Sequence, residues 1–320
     1  MLIAATGLTG FVGMAIAKRL SREGDLRIRA LVRPDGRKAA LLEAAPAVEV
    51  QEGDMADIAD VRRLVEGAQA VVHAAHDSLG GHQGLRFSHS GSEFRREFLD
   101  RNLRASADLL TEARLSGVCQ FVNISAFSLY GRQPHEGPAI TDDTASHPNS
   151  PYSALKAAVD AFCQSFDGRF PNGVSILRPC LVLGIDPDPE RSTYWSMARS
   201  IQAGESMSLN GGTSTVRIED VAEAVHLAIR KPANARGVVN LVDRYTDLAE
   251  VAEILKEKFG SKAEILAGVR RGQPERPPVC ARAEAMGIRF RGREGLLEYL
   301  DALVAAARSV PPGPPAAAPV

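Results

Sequence analysis

Short apolar runs alternate with amphipathic stretches through the first 125 residues. The runs at 2–5, 27–32, 48–51, 70–73 and 120–124 have strand length and are bounded by polar or glycine-containing turns. Between them, apolar positions recur at helical spacing over 12–21, 37–44, 58–65 and 94–116. This rhythm predicts a doubly wound α/β fold: a parallel sheet with helices on both faces, joined by right-handed connections. A helix over 152–166 and a strand over 174–177 follow. Beyond Asp186 the pattern is less regular, with helices predicted at 220–229, 248–259 and 294–306 and a strand at 237–241. The chain therefore divides into residues 1–185, to which parts of 213–245 return, and a small discontinuous lobe over 186–309. The tail 310–320 is too rich in proline for helix or sheet and is expected to be disordered.

Composition narrows the function classes. Apolar residues make up 45% of the 320 and charged residues 24%, an ordinary globular balance. A net charge of −1 offers no basic footprint for nucleic acid or for an anionic membrane surface. No apolar run approaches the roughly 20 residues that cross a bilayer. The first strand starts beside Met1, so no leader is expected ahead of it. Cys119, Cys163, Cys180 and Cys280 are widely spaced, which fits a reducing cytoplasm.

The first strand runs into TGLTGFVG, and a helix follows at once. Gly7, Gly10 and Gly13 suit a tight turn, a close approach of backbone to pyrophosphate, and close packing of helix on sheet. The helix N-terminus offers free N–H groups to phosphate. A strand before the glycines and a helix after them make this a Rossmann-type dinucleotide site, with Thr6, Thr9, Phe11 and Val12 as further contacts. The second strand ends at Arg33, with Arg37 and Lys38 behind it, as suits the 2′-phosphate of NADP. Asp35 lies close by and would serve NAD. Asp54 and Met55, after the third strand, fall where adenine would lie; Asp54 or Asp57 also suits a helix N-cap. Small Ala74 and Ala75, after the fourth strand, would let a cofactor approach the backbone.

Tyr152 and Lys156 stand four apart in a predicted helix and so share one face. A phenol near its ordinary value of about 10 is a poor base at neutral pH, and a neighbouring ammonium favours the phenolate. The pair can therefore exchange a proton with a carbonyl or alcohol oxygen.

Taken in order, TGLTGFVG, EGDMAD, VVHAA, Asn102, FVNISAFSLYG, YSALK, ILRPCLVLG and VRIEDVAEAV resemble the extended short-chain dehydrogenase/reductases of the NAD-dependent epimerase/dehydratase family, over roughly residues 1–260. The resemblance implies that Tyr152 is the acid/base and that Lys156 binds the nicotinamide ribose. It places His73, Asn102 and Pro179 within cofactor motifs. It also implies a hydroxyl that holds the substrate oxygen, five positions before Gly131; Ala126 stands there, flanked by Ser125 and Ser128 as candidates. The Asp-Glu pair of the family's dehydratases is replaced by Phe127 and Ser128, and the arginine that meets a sugar nucleotide's diphosphate by Thr213, with Arg217 nearby. Arg33-Pro34 resembles the NADPH-dependent dihydroflavonol reductase-like branch.

The residues and the resemblance together predict an NADP-dependent oxidoreductase, acting on a carbonyl or alcohol of a small molecule as a homodimer. One alternative is a sugar or nucleotide-sugar epimerase with retained NAD; another is a non-catalytic NADP(H)-binding sensor. His76, His82 and His89 are expected to line or cover the substrate cleft rather than bind metal, because no Cys or Glu joins them at a known spacing. Tyr194 and Trp195 suit either substrate contact or helix packing. The basic stretch at 270–276 reads as a solvated loop.

Overall fold

The structure, a computed structural model, describes residues 1–34, 39–42, 44–77, 79, 87, 90–131, 137–268 and 277–310. Twelve strands are described: β1 (Leu2–Thr6), β2 (Arg27–Val32), β3 (Val48–Glu52), β4 (Ala70–His73), β5 (Gln120–Ile124), β6 (Val174–Pro179), β7 (Leu181–Leu183), β8 (Met207–Leu209), β9 (Gly212–Arg217), β10 (Gly237–Leu241), β11 (Arg244–Asp247) and β12 (Ile265–Ala267). Seven of them form one sheet in the order β10-β6-β5-β4-β1-β2-β3, and every pair in it is parallel. The direction of winding reverses at β1, so a crevice opens between the carboxyl ends of β1 and β4.

The helices are α1 (Phe11–Leu20), α2 (Ile58–Val65), α3 (Ser92–Leu99), α4 (Ala105–Leu115), α5 (Pro151–Phe166), α6 (Trp195–Gln202), α7 (Ile218–Arg230), α8 (Pro232–Ala235), α9 (Leu248–Phe259), α10 (Ala281–Met286) and α11 (Gly292–Ser309). Alternation along β1 explains the layering: Ile3 and Ala5 pack with Ile16 of α1 and Val221 of α7, whereas Ala4 packs with Leu64 of α2, Leu110 of α4 and Val159 of α5. Both faces of the sheet are thus covered, and β4, β5 and β6 are buried along their whole length, as parallel strands require. A third core joins Ile201 of α6, Leu255 of α9 and Leu300 of α11. Two smaller sheets, β11-β9-β7 and the pair β12-β8, stand apart from the main sheet.

Two elements differ from the sequence expectation. The helix expected over 37–44 is a single 3-10 turn at Ala39–Leu42, while residues 35–38 and 43 lie outside the described residues. The long helix expected over 94–116 is interrupted by a π turn at Asp100–Arg104, between α3 and α4. Apolar periodicity alone does not register that one-residue widening, a feature often found at functional sites. The tail 311–320, the basic stretch 270–276, His82 and His89 also lie outside the described residues. Among the described residues, no helix is long and apolar enough to cross a membrane.

Candidate active site

The crevice at the switch point is a cleft of ≈ 640 Å³. Its floor is the β1–α1 turn, where Thr6, Gly7, Thr9, Gly10, Phe11, Val12 and Gly13 all line it. Gly7 has φ +76, and a Cβ there would run into the backbone of Ala75; a Cβ on Gly13 would run into the Gly7 carbonyl. Only glycine allows this turn. Gly10 caps α1 without a side-chain hydrogen bond, so the first N–H groups of the helix remain available to an anion. This cradle, its depth and its place at the switch point fit a dinucleotide. Among the described residues, no three His, Cys, Asp or Glu side chains gather to hold a metal ion.

The adenosine end follows β2 and β3 and is open. Arg33 reaches Asp77 at 2.7 Å, and Arg101 lies 3.4 Å from Asp54 and 3.7 Å from Asp77. Asp54 Oδ1 accepts from the Ala56 N–H at 2.9 Å and lines the cleft with Met55, while Asp57 is the residue that caps α2. Asp35, Arg37 and Lys38 lie outside the described residues. Ala74 and Ala75 form the wall after β4. Asn102, on the π turn, secures that wall: its Oδ1 accepts from the Asp77 N–H at 2.8 Å, and its Nδ2 donates to the Asp77 carbonyl at 3.0 Å.

Four residues of the expected cofactor set, His73, Pro179, Tyr152 and Lys156, are not among those that line the cleft. His73 is buried between Thr6 Oγ1 at 2.7 Å and Ser106 Oγ at 2.9 Å, tying β4 to β1 and to α4. Burial, then the charge of Lys156, push its imidazole down to about 3, so it is neutral. Pro179 ends β6 inside the core. Sequence reasoning passed over Asp186, Pro187, Asp188 and Arg191, which close the cleft from the segment after β7, and Arg101. None of them carries a local signature; they reach the site only because the chain turns back over it.

The reacting end is built by α5. Pro151 occupies its first turn, and Ser150 and Ser153 form a reciprocal cap, which fixes where the helix begins. Helical spacing then sets Tyr152, Lys156 and Asp160 along one face. Lys156 is buried and its Nζ donates to the Ile124 carbonyl at 2.9 Å, at the end of β5. Burial pushes the ammonium down to about 8, opposed by the charge of Asp160. Asp160 in turn accepts from Arg178 Nε at 2.9 Å and Asn123 Nδ2 at 3.1 Å. Arg178 also donates to Tyr130 Oη at 2.7 Å, which donates to Asn240 Oδ1 at 2.9 Å. This buried network locks α5 against β5 and β6.

Tyr152 departs from the sequence expectation. Its phenol is not made more acidic by Lys156; burial pushes it up to about 12. Lys156 Nζ is held on the Ile124 carbonyl, its own charged form is disfavoured, and burial is what sets the direction at the phenol. Ser125 is 3% exposed and lies against Asp160. Ser128 is exposed on the turn at Phe127–Tyr130 and does not line the cleft. What does meet Tyr152 is His76, whose ring lies 5.0 Å from the phenol ring, edge to face, and lines the cleft. Thr213 sits on β9, and Arg217 is held by Glu219 at 3.1 Å and Glu298 at 3.2 Å.

A glycine cradle for pyrophosphate, leading to a Tyr–Lys pair on one helix face, defines a nicotinamide-dependent enzyme on a Rossmann-type sheet. The profile of the NAD-dependent epimerase/dehydratase family matches residues 3–241, and the chain belongs to that family. It is 32% identical over 164 residues to a dTDP-glucose 4,6-dehydratase of Streptomyces griseus, covering 48% of this chain and 46% of that protein. A second dTDP-glucose 4,6-dehydratase, from Streptomyces antibioticus, is 27% identical over 268 residues, covering 80% and 76%. The chain spans about half the length of the first curated relatives it matches. Among solved structures it is similar to the UDP-glucuronic acid 4-epimerase of Bacillus cereus in complex with NAD (TM-score 0.77, 17% identity, 99% of each chain). It is also similar to the UDP-glucose 4-epimerase of Thermotoga maritima with UDP-glucose (TM-score 0.77, 21% identity, 97% and 99%). These two likenesses bear on the fold.

A bound nicotinamide would supply acceptance and return of hydride. With that group bound, Tyr152 Oη could exchange a proton with a reacting oxygen, on a helix that Lys156 and Asp160 keep in register against β5 and β6.

Proposed function

We propose that the protein is a nucleotide-sugar epimerase that keeps its nicotinamide cofactor through the cycle, oxidising one sugar carbon and reducing it again from the other side. The observation that carries this reading is the Tyr152–Lys156 pair on one face of α5, next to His76, which lines the dinucleotide cleft and meets the Tyr152 ring, in a chain whose relatives act on dTDP- and UDP-sugars. Phe127 and Ser128, in place of the dehydratase carboxylates, favour epimerisation over loss of water. Carbonyl reduction with NADP, ranked first on sequence, has less support from the relatives.

The cofactor in this reading is NAD. At the adenosine end, Arg33 and Arg101 are already engaged with Asp77 and Asp54. A 2′-phosphate would bring further negative charge towards two carboxylates whose cations are in use. Arg33 remains the feature that favours the NADP reading, since it follows β2 where such a phosphate is met. Leu115 of α4 and Phe162 of α5, both exposed, support pairing of two chains through that helix face; a solution mass of one chain would set the dimer aside.

The test is direct. Protein purified without added cofactor is denatured and the released nucleotide identified. Native protein is then given UDP-glucose and dTDP-glucose, and inversion at one carbon is followed by NMR. Retained NAD, inversion, and no net consumption of cofactor are the expected result. Steady oxidation of NADPH by ketones, with no inversion, would replace this reading with the reductase.

A further inference from the structure

The site holds a phenol to move the proton, but residue 126, beside β5, brings no hydroxyl to share the reacting oxygen. An oxygen that alternates between alcohol and carbonyl gathers negative charge as hydride leaves or returns. A second hydrogen bond there is worth far more in a water-poor site than in solution. Ser128 is exposed, and Ser125 is buried against Asp160, one of the carboxylates of the network behind Lys156. The polar group that does stand at this end of the cleft is an imidazole.

We infer that His76 supplies the missing hydrogen bond, its Nε2 holding the reacting oxygen of the substrate alongside Tyr152 Oη. This rests on the reading above only in that a substrate oxygen reacts at Tyr152.

Three observations carry it. His76 follows β4 on the wall of the dinucleotide cleft, and its ring meets Tyr152 edge to face at 5.0 Å. The other side of the ring is fixed by Phe98 of α3, 6.0 Å away and also edge to face. Nε2 is buried and has no hydrogen-bond partner among the described residues, an arrangement that costs stability unless a ligand completes it. The charge state suits the task. Burial first and the charge of Lys156 second push the imidazole down to about 4, against the pull of Asp77 and Asn102. It is therefore neutral near pH 7. In the tautomer with the proton on Nε2 it donates to the oxygen, and no proton passes to it. Asn102 and Asp77 set the loop that presents it, through the paired backbone bonds of Asp77 to the Asn102 side chain.

The experiment compares wild type, His76→Ala, His76→Asn, Ser125→Ala and the double variant His76→Ala/Ala126→Ser, each loaded with NAD. Formation of bound reduced nicotinamide is followed in a single turnover with UDP-glucose or dTDP-glucose, and NADH affinity is measured separately. His76→Ala should slow the single turnover by about tenfold or more, a larger factor than any change in NADH affinity, as for loss of one donor at a charged oxygen. Asn, which keeps a donor, should lose less, and serine at 126 should restore at least about threefold of the loss. The second readout is the His76 ring in NMR spectra of histidine-labelled protein: its Nε2 signal should move when the nucleotide sugar is added to the NADH complex, and not when the bare nucleoside diphosphate is.

A His76→Ala protein that turns over at the wild-type rate, or a Nε2 signal that ignores the sugar, overturns the inference. So does collapse of Ser125→Ala beside an intact His76→Ala, which would give the role to Ser125. If wild type leaves nucleotide sugars untouched but reduces small ketones, the epimerase reading fails and the same variants are compared on the ketone. If it acts on neither, there is no reacting oxygen for His76 to hold, and both fall.

Discussion

The two ends of the dinucleotide cleft are built on opposite principles. At the adenosine end, charged side chains stand at the surface and satisfy one another: Arg33 with Asp77, Arg101 with Asp54. At the reacting end, polar groups are driven into the core. Burial moves Lys156 to about 8, Tyr152 to about 12, His76 to about 4 and His73 to about 3. Solvent screens the first end, so each side chain there has a small and exchangeable effect. The second is water-poor, so one group removed leaves its partners uncompensated. The proposed function assigns the chemistry to the end where desolvation is highest, and cofactor choice to the end where it is lowest.

The largest expected effect is therefore at Tyr152. Tyr152→Phe keeps the ring that packs on His76 and removes only the hydroxyl proposed to carry the proton. Turnover should fall by about 10²–10⁴-fold with NADH affinity within about twofold of wild type, the range for an acid/base group. Full turnover in this variant would remove Tyr152 from the chemistry.

Next comes the network behind it. Asp160→Ala leaves Arg178, 4% exposed, without its carboxylate and removes the opposing charge near Lys156. The cost should be about 3–5 kcal/mol of folding stability, read from urea unfolding, because a buried cation is left unpaired. A loss below about 1 kcal/mol would mean that water reaches the pair and that the two ends differ less than argued here.

How much of this contrast was legible in the sequence follows the same division. The glycines of the β1–α1 turn and the four-residue spacing of Tyr152 and Lys156 are local, and local patterns survive without a fold. The seven strands of the main sheet fall where the apolar runs placed them, with β6 running two residues further to Pro179, whereas the short strands β7, β8, β9, β11 and β12 were not foreseen. Long-range pairings left no trace: Arg33 with Asp77, Asp160 with Arg178, and His76 against Tyr152 join residues 44, 18 and 76 positions apart. The sign of the Tyr152 shift was missed for the same reason, since spacing reveals a neighbouring cation and not the burial that outweighs it. The π turn that presents Asn102 and the return of 186–191 over the cleft depend on tertiary packing.

Acid gives an intermediate effect. His73 and His76 titrate at about 3 and about 4 in the folded chain, below the ordinary 6.5 of an unfolded one. The unfolded state therefore binds more protons as the pH falls below 6.5. Stability is complete above that value and declines down towards the folded values. Between about pH 6.5 and about pH 5 each histidine should cost about 2 kcal/mol. Asp220 works the other way: burial raises it to about 6, so the folded state takes up its proton first and recovers part of the loss. Thermal melts should drop over this interval, and His73→Gln should flatten the drop by the share of one histidine. An equal slope in that variant would mean that His73 is not held neutral.

The smallest effect belongs to the open end, and it decides the cofactor. Asp77→Asn keeps the shape of the side chain and both backbone bonds to Asn102, but takes the charge from Arg33, whose side chain is 46% exposed. The freed guanidinium can then meet a 2′-phosphate as a charge-assisted pair. NADPH affinity should rise by about three- to tenfold while NADH affinity changes by less than about twofold, a modest gain because the group is exposed and screened. The rise should shrink with added salt, as no effect at Tyr152 would. If wild type already binds NADPH more tightly than NADH and Asp77→Asn changes neither, Arg33 is not restrained by Asp77. The charge balance drawn at this end would then be wrong, and the NADP reading would return.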